Sequence, residues 1–272
     1  MKPVRPLPHL VFGPGALAVE GSRLLPEEVA VALSFNGSTQ AVMMATPQDL
    51  VDFAYGFALT EGLARPDEII EVEPVETPKG IDVQIWIKPE AEARLARRRR
   101  KMAGPVGCGL CGIDSIEEAM RDLPPVTSRF ALTPAEIRAA IAALPGAQPL
   151  HDATRAVHAA GFWREGRLLA VREDVGRHNA LDKLAGCLTR AATPAGQGAV
   201  VLTSRVSIDM VQKVAALGQP ILIAVSAPTA HAVDMAARAG ITLVALARPD
   251  RFEVFTHPDR IAAQVAGESH VA

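Results

Sequence analysis

Residues 199–246 decide the fold, because three short apolar runs stand there one after another: Ala199-Val200-Val201-Leu202-Thr203, Ile221-Leu222-Ile223-Ala224-Val225 and Ile241-Thr242-Leu243-Val244-Ala245-Leu246. Helical patterns over residues 208–217 and 229–239 separate the runs, and they end at Gly218 and Gly240. Continuous apolar strands that alternate with amphipathic helices indicate parallel pairing, with helices on both faces of the sheet. We therefore predict an α/β fold for this part of the chain.

The chain before residue 199 predicts further elements of both kinds. Asn36-Gly37 between two apolar runs indicates a β-hairpin over 28–44. Thr46-Pro47-Gln48-Asp49 is typical of a helix start, here of a helix over 47–62. Residues 1–26 are rich in Pro and Gly, and we expect them to wrap the surface or stay mobile. Further strands are predicted over 69–75, 81–87, 156–163 and 167–172, further helices over 89–101, 134–144 and 179–188, and a turn over 145–149.

These patterns predict two domains. Residues 1–105 are expected to form a small α+β N-terminal domain of hairpins and one principal helix. Residues 106–272 are expected to form the α/β domain, which would begin with a glycine-rich loop that contains two cysteines.

The composition excludes several classes of protein. The chain has 272 residues, 49 % apolar and 21 % charged, which is the balance of a globular protein that folds in water. A net charge of −2 argues against nucleic-acid binding. No run of about 18 apolar residues is present to span a membrane. The N-terminus lacks a signal-peptide pattern, and three cysteines are few for a secreted protein held by disulfides. We therefore expect a cytoplasmic protein without a nucleic-acid or membrane partner.

The segment Gly107-Cys108-Gly109-Leu110-Cys111-Gly112 places two cysteines three residues apart, with a glycine beside each. The glycines leave the backbone free to take unusual conformations and leave the sulfur atoms uncovered. Just upstream stands the positive run Arg97-Arg98-Arg99-Arg100-Lys101. Nearby positive charge favours loss of the thiol proton, and the thiolate is the nucleophilic form. The pattern predicts a reactive sulfur on this loop.

Three chemistries are open for Cys108 and Cys111. A structural zinc site needs four ligands; Cys187 lies in a leucine-flanked helix and is predicted to be a core residue, so we expect no metal. A thioredoxin-like dithiol would follow a βαβ unit, whereas this motif follows a basic helix. In the third chemistry a thiolate accepts a sulfur atom as a persulfide and passes it to an acceptor. The residues alone do not choose between this and the redox reading.

Polar residues follow each of the three predicted parallel strands, at the edge where ligands bind in open α/β sheets. Hydroxyls before helix N-termini and arginines at that edge suit a phosphate or diphosphate. We predict an anionic, nucleotide-like ligand there; simple helix capping and solvated arginines are the alternative. The candidate residues are Ser204, Arg205 and Ser207 after the first strand, Ser226 after the second, and Leu246, Ala247, Arg248, Pro249, Asp250 and Arg251 after the third.

A polar segment also follows the strand predicted over 167–172: Glu173-Asp174-Val175-Gly176-Arg177-His178-Asn179. Ion pairs and hydrogen bonds would explain its acids and its arginine structurally. His178, grouped with them at the end of a strand and before a helix, is a candidate for ligand binding or proton transfer.

The cysteine motif and two further segments resemble the formate dehydrogenase accessory sulfurtransferases, and the likeness runs from about residue 28 to about residue 260. The further segments are Glu173-Asp174-Val175-Gly176-Arg177-His178-Asn179-Ala180-Leu181-Asp182-Lys183 and Ser204-Arg205-Val206-Ser207 through Met210-Val211-Gln212-Lys213. Shorter matches stand at Ala54-Tyr55-Gly56-Phe57 with Glu61-Gly62, and at Ser226-Ala227-Pro228-Thr229. Segment 173–183 together with the CxxC motif is highly specific to that family.

This resemblance implies an enzyme, a sulfurtransferase required for formate dehydrogenase activity. Such a protein takes sulfur from a cysteine desulfurase as a cysteine persulfide. It delivers the sulfur to the molybdenum bis(molybdopterin guanine dinucleotide) cofactor before the cofactor enters formate dehydrogenase. By position, Cys108 would be the persulfide carrier and Cys111 its partner. The cofactor-binding segment of the family falls on residues 246–251.

The resemblance also implies a fold and an assembly: a cytidine-deaminase-like three-layer αβα domain with a smaller α+β N-terminal domain, as a homodimer. The zinc signature of deaminases is absent from the sequence, so we do not expect deamination. Two other functions remain as alternatives. One is a non-catalytic chaperone that binds the molybdenum cofactor, and the other is a CxxC dithiol oxidoreductase.

Overall fold

The computed structural model of the chain describes residues 1–13, 18–102 and 125–262, with the backbone alone for 98–102. Its described strands form a two-stranded, a four-stranded and a six-stranded sheet, and the predicted α/β class is confirmed. In chain order the elements are β1 (Val4–Phe12), β2 (Ala18–Pro26), β3 (Val29–Phe35), β4 (Ser38–Ala45), α1 (Leu50–Thr60), β5 (Ile69–Thr77), β6 (Gly80–Ile87), α2 (Pro89–Met102), α3 (Pro134–Ala143), α4 (Pro149–Thr154), β7 (His158–Arg164), β8 (Arg167–Asp174), α5 (Arg177–Arg190), β9 (Ala199–Leu202), α6 (Ile208–Ala216), β10 (Ile221–Ala224), α7 (Ala230–Arg238), β11 (Thr242–Ala245) and β12 (Glu253–Val254).

The chain divides into two compact units, each assembled from separated stretches. The described residues of the first unit lie within Met1–Asp122, Gly146–Ala160 and Ala170–Thr193, and those of the second within Leu123–Pro145, Gly161–Leu169 and Pro194–Ala272. Compact units need not coincide with domains, so the predicted domain boundary after residue 105 stays a prediction.

A four-stranded sheet in the order β4-β3-β6-β5 forms the base of the first unit. β4 is antiparallel to β3, β6 is parallel to β3, and β5 is antiparallel to β6. Asn36 and Gly37 turn the β3–β4 hairpin with φ of 45° and 77°, the left-handed pair that a tight hairpin turn requires. The predicted hairpin is therefore confirmed. Phe53 and Phe57 of α1 share the buried core with the inward face of this sheet.

Helices α1 and α5 approach each other backbone to backbone in the first unit. A Cβ atom added to Gly56 of α1 would lie 1.7 Å from the carbonyl oxygen of Asp182 in α5. A Cβ added to Gly186 of α5 would lie 1.8 Å from the carbonyl oxygen of Asp52 in α1. Each glycine is required because any side chain would occupy the space of the facing peptide group.

The first 26 residues contain more regular structure than the sequence suggested. β1 and β2 form a two-stranded antiparallel ribbon, with Val4 opposite Pro26 and Phe12 opposite Ala18. The expectation that residues 1–26 wrap the surface or stay mobile did not include this ribbon. Five prolines and three glycines stand among these 26 residues, but prolines are tolerated at the outer edge of a strand, and that edge is where a ribbon of two strands can place them.

Helix α1 begins later than predicted. It starts at Leu50, and Asp49 stands at its N-cap with a φ of 54° and no side-chain hydrogen bond to the helix. Thr46 is not the cap, because it is buried and its Oγ1 accepts a hydrogen bond from the Val175 N–H at 3.2 Å. A favourable capping sequence was outweighed by a partner 129 residues further along the chain.

The second unit contains the strands from which the fold was predicted. Four of its strands lie in the order β12-β11-β10-β9. β10 pairs in parallel with both β9 and β11, while β12 is antiparallel to β11. Every residue of β9, β10 and β11 is buried, as expected for strands with both faces covered. The predicted parallel arrangement is confirmed.

The smaller sequence predictions are confirmed with two changes. Thr133 and Glu136 form the capping box at the start of α3, with the Glu136 N–H donating to Thr133 Oγ1 at 3.2 Å and the Thr133 N–H donating to Glu136 Oε2 at 2.8 Å. The turn predicted over 145–149 is instead a short 3₁₀ turn followed at Pro149 by α4. Helix α5 starts at Arg177, two residues before the predicted start.

None of the helices that the structure describes has the length and apolar character needed to cross a lipid bilayer.

Candidate functional site

The predicted carrier Cys108 and its partner Cys111 lie outside the described residues. Their roles remain predictions. The third cysteine, Cys187, lies in α5. It is not the fully buried core residue that the sequence predicted. It is half-buried, and Arg172 Nη2 lies 3.0 Å from its Sγ. Burial raises the pKa of the Cys187 thiol, so this sulfur stays protonated and is a poor nucleophile at neutral pH.

The ends of the three parallel strands lie side by side in the second unit. The Val206 N–H donates to the Ala227 carbonyl at 3.2 Å, and the Thr229 N–H donates to the Val206 carbonyl at 3.0 Å. On the other side, the Leu246 N–H donates to the Ser226 carbonyl at 3.2 Å. The strand-end segments that the sequence nominated are therefore adjacent, and we call this edge the strand-end site: residues 204–207, 226–229 and 246–251.

The segment after β11 is held in one conformation by its own backbone. Leu246 has a φ of 50°, and the Arg248 N–H donates to the Arg251 carbonyl at 2.7 Å. The Arg248 guanidinium donates from Nη1 to the carbonyls of Val225, at 2.5 Å, and Ala247, at 2.9 Å. Arg248 is thus partly used to join the ends of β10 and β11. Its exposed neighbours in this turn are Pro249, Asp250 and Arg251.

The two hydroxyls that precede helices at this edge behave differently. Thr229 caps α7, because its Oγ1 accepts from the Ala232 N–H at 3.3 Å. Ser207 stands at the N-cap of α6 without a side-chain cap bond. Its Oγ is sealed from solvent and has no hydrogen-bond partner within the described ranges. Simple capping therefore accounts for Thr229 but not for Ser207.

Ser204 and Arg205 complete the strand-end site. Ser204 is buried, and its Oγ donates to the Arg205 carbonyl at 3.0 Å. The Arg205 side chain is exposed. The edge thus offers one buried hydroxyl without a partner, at Ser207, and the cationic side chains of Arg205 and Arg251. That combination suits a phosphorylated ligand.

A separate groove of about 550 Å³ lies near the start of β9 in the same unit. Phe130 and Leu132 supply its apolar wall, and Arg164 lines it from β7. The Arg164 charge is balanced by Glu165, whose Oε1 lies 3.0 Å from Arg164 Nε. Since its basic side chain is already paired, this groove offers no free positive charge to an anionic ligand.

The polar segment 173–179 organises the first unit around the buried carboxylate of Asp174. Oδ1 of Asp174 accepts from the Gly176 N–H at 2.7 Å and from Asn179 Nδ2 at 2.9 Å. Oδ2 accepts from Lys183 Nζ at 2.6 Å and from the Thr46 N–H at 3.0 Å. Lys183 also donates to the Thr46 carbonyl at 2.9 Å. Four donors satisfy the carboxylate, and the network fixes the start of α5 against the loop before α1.

Glu173, the other acid of this segment, binds the start of α4. It is buried, and its carboxylate accepts from the Leu150 N–H at 2.8 Å and the His151 N–H at 2.7 Å. Those two N–H groups lie at the beginning of α4, where a carboxylate is favourable. Glu173 therefore anchors α4 to the end of β8.

A second polar cluster lies between α1 and α5. Asp52 accepts from Arg172 Nη2 at 2.7 Å and from Arg190 Nη1 at 2.6 Å, and it is buried. Thr60 Oγ1 donates to Asp182 Oδ1 at 2.7 Å. These bonds reinforce the close helix pair, and they give structural roles to Arg172 and to Asp182 of segment 173–183.

His178 and its neighbours form the remaining part of segment 173–179. His178 is the second residue of α5 and is half-buried. Beside it, Arg177 has an Nε that is inaccessible to solvent and without a hydrogen-bond partner in the described part of the chain. His158, at the start of β7, is close enough to feel the charges of Arg177, Asp174 and His151. From the sequence, His178 was chosen as a candidate site residue and Arg177 was not. Arg177 has the same position between a strand and a helix, and that position could have marked it as a candidate too.

Protonation of His158 is expected to lower stability in mild acid. Burial lowers the pKa of His158, the Arg177 charge lowers it further, and Asp174 opposes the shift. Just below about pH 6.5, His158 therefore binds a proton in the unfolded chain but stays neutral in the folded chain. The contribution of neutral His158 to the free energy of unfolding is therefore fully present above about pH 6.5. It is lost as the pH falls through the pKa that His158 has in the folded protein. Urea unfolding at about pH 7.5 and about pH 5 should show a smaller loss for His158→Gln than for wild type.

The exposed His231 of α7 supplies the control for this measurement. His231→Gln should keep the acid loss of the wild type. An equal acid loss in wild type and His158→Gln would contradict the assignment of this pH dependence to His158.

Comparison with known proteins gives a consistent result. A sequence model of the FdhD/NarQ family matches residues 26–262. A protein of Agrobacterium fabrum named "Sulfur carrier protein FdhD" is 58 % identical over 245 residues, which is 89 % of this chain and 90 % of that protein. One of the same name from Variovorax paradoxus is 49 % identical over 86 % of this chain and 85 % of its own length.

The fold is similar to a crystal structure from Desulfotalea psychrophila that is described as a formate dehydrogenase accessory protein. The TM-score is 0.76 at 29 % sequence identity, and the match covers 95 % of this chain and 99 % of that one.

Proposed function

This chain belongs to the FdhD/NarQ family, and from that premise we propose that it is a sulfur carrier that serves the maturation of formate dehydrogenase. The observation that supports this most directly is the 58 % identity to a protein named as a sulfur carrier, across nine-tenths of both chains. The sequence of this chain contains the feature that such a task needs, a glycine-flanked pair of cysteines at Cys108 and Cys111.

The chemistry proposed for Cys108 is persulfide transfer. Its thiolate attacks the outer sulfur of a persulfide on a cysteine desulfurase; one S–S bond forms, another breaks, and the desulfurase thiolate leaves. Attack by the Cys111 thiolate on Cys108 Sγ then releases the outer sulfur as hydrosulfide and leaves a Cys108–Cys111 disulfide. The two thiolates supply the two electrons that this release requires, and a cellular dithiol must later reduce the disulfide.

The strand-end site is the proposed binding place of the sulfur acceptor, molybdenum bis(molybdopterin guanine dinucleotide), which here is a substrate. Its diphosphates need hydrogen-bond donors and positive charge. The residues fit that need, since the Ser207 Oγ has no partner in the described chain and Arg205 is exposed beside it. Arg248 would hold the turn over 246–251 in place rather than reach the ligand with all its donors, because Nη1 already contacts two carbonyls.

Three finer features belong to the same proposal: a cysteine desulfurase as sulfur donor, a homodimer, and a cytoplasmic location. The reactive pair of cysteines needs a reducing compartment to return to the dithiol form, which is the physical reason to place the protein in the cytoplasm. The resemblance to accessory sulfurtransferases is the reason for the donor and the dimer.

Sulfur loading tests the carrier assignment. Incubation with a cysteine desulfurase and cysteine should add the mass of one sulfur atom to the intact wild-type protein, measured by mass spectrometry without reductant. Cys108→Ala should lose this addition. Cys187→Ala is the matched control and should load like wild type, because burial raises the pKa of that thiol. Full loading of Cys108→Ala would assign the sulfur to another residue.

A second measurement separates a carrier from a chaperone that only binds the cofactor. A variant with both Cys108→Ala and Cys111→Ala should fail to support formate dehydrogenase activity in cells that lack the native protein. Normal activity with that variant would favour the chaperone. Reduction of insulin disulfides by the purified protein would instead favour a dithiol oxidoreductase.

A further inference from the structure

Arg177 has one side-chain nitrogen, Nε, that is buried without an acceptor in the described residues. The residue is half-buried, its Nε is sealed from solvent, and that atom donates to nothing in the residues that the structure describes. An unpaired buried donor on a charged group is costly, because the group has lost water and gained no acceptor. Arginines in such places pair with carboxylates or phosphates, whose oxygens match the fork of the guanidinium.

The two acids closest to Arg177 in sequence are already engaged. Asp174 accepts four hydrogen bonds, and its charge is balanced by Lys183 Nζ at 2.6 Å. Glu173 accepts the Leu150 and His151 N–H groups at 2.8 and 2.7 Å. Neither is therefore available as the counter-ion of Arg177.

Among the described groups whose charges act on His158, Arg177 and His151 disfavour its protonated form and Asp174 favours it. His158 lies near enough to Arg177 and His151 for both to oppose its protonation. His158 is half-buried, so water screens these charges only in part. An anion placed among these side chains would offset the charge of Arg177 and allow His158 to gain a proton.

We propose that Arg177 and His158 bind an oxyanion, specifically the phosphate group of a phosphorylated ligand. Arg177 provides a permanent charge and a planar set of donors. His158 provides a second charge when the anion arrives, which favours a dianionic phosphate over a single carboxylate. Arg177 is also the first residue of α5, a helix of 14 residues, so the helix dipole adds to the attraction.

This inference goes beyond the proposed sulfur transfer and does not depend on it. Both residues belong to the first unit, whereas the strand-end site belongs to the second. The experiment reads anion binding and not sulfur transfer, so a failure of one leaves the other standing. Cys108→Ala should bind phosphate like wild type in the same assay.

The test is calorimetric titration with inorganic phosphate, and separately with guanosine diphosphate, at constant ionic strength set by sodium chloride. Arg177→Gln should weaken binding of the anion by at least about tenfold, the value of losing one charge-assisted hydrogen bond. Arg23→Gln removes an exposed arginine of β2 and should leave binding unchanged. A loss seen only with the nucleotide would identify the source of the phosphate group as a nucleotide, and a loss with both would identify a general phosphate site.

A second readout keeps the proposal testable if Arg177→Gln folds poorly. In the wild type, the His158 ring protons followed by NMR should titrate at higher pH when phosphate is present, because a bound anion favours the imidazolium form. Arg177→Lys should retain part of this effect. The proposal is overturned by the absence of saturable binding in the wild type, by equal binding in wild type and Arg177→Gln, or by a His158 titration that phosphate does not move.

Discussion

Gly56→Ala is expected to unfold the first unit or to destabilise it by about 3 kcal/mol or more, the upper end of the range for overpacking. The new methyl carbon would lie 1.7 Å from the Asp182 carbonyl oxygen, and that atom belongs to the backbone of α5 and cannot turn aside. Gly186→Ala should act equally, since its methyl carbon would lie 1.8 Å from the Asp52 carbonyl oxygen. Loss of this size is a large fraction of the stability of a typical domain.

Gly146→Ala is the matched control for this change. It is also a glycine of the first unit, but a Cβ atom there would have no neighbour within 4 Å, and its φ is not positive. Guanidinium unfolding followed by circular dichroism should place Gly146→Ala within about 0.5 kcal/mol of wild type. Wild-type stability of Gly56→Ala and Gly186→Ala would show that the two helices can separate without cost, against the packing described.

Asp174→Ala is expected to cost about 3–5 kcal/mol, the range measured when one partner of a buried ion pair is removed. Asp174 and Lys183 are both fully buried, and their charged atoms lie 2.6 Å apart. Without the carboxylate, the Lys183 ammonium would stay buried, and its remaining partners among the described residues would be the Thr46 carbonyl and the face of Phe53. The same substitution also removes the acceptor of the Gly176 and Thr46 N–H groups.

An exposed pair of the same unit gives the scale for comparison. Asp152 and Arg155 are 3.1 Å apart with more than half of each side chain exposed, and Asp152→Ala should cost no more than about 1 kcal/mol. Combining Asp174→Ala with Lys183→Met should recover part of the loss, because the unpaired charge is gone. A cost for Asp174→Ala no larger than that for Asp152→Ala would mean that the buried pair does not stabilise the fold.

Local sequence patterns predicted those features of the fold that depend only on residues close together in the chain. The three apolar runs give parallel strands because their period and length are properties of each run alone, and their polar ends are adjacent because parallel strands end at one edge. Asn36-Gly37 and the Thr133–Glu136 capping box were equally predictable, since each motif is closed within a few residues.

Partners far apart in the sequence were not predictable by this means. Thr46 has the character of a helix cap, yet it binds Asp174 and Val175, which lie 128 and 129 residues away. Cys187 has the setting of a core residue, and its contact with Arg172 depends on how β8 meets α5. Segment 173–179 stood out as polar, but only the structure separates the residues that build the scaffold from Arg177, whose Nε has no acceptor in the described chain.

The ribbon of β1 and β2 combines exposed apolar side chains with two prolines on one edge of β1. Leu10, Phe12 and Val19 are more than half exposed, and a strand with such residues at a free edge is a template for fibrous growth. Pro6 and Pro8 lie two residues apart, opposite Leu24 and Ser22, and so share one edge of β1. Neither can donate a hydrogen bond to an incoming strand. The two prolines therefore leave this edge of β1 with two fewer donors, which disfavours the addition of a further strand beside the exposed apolar side chains.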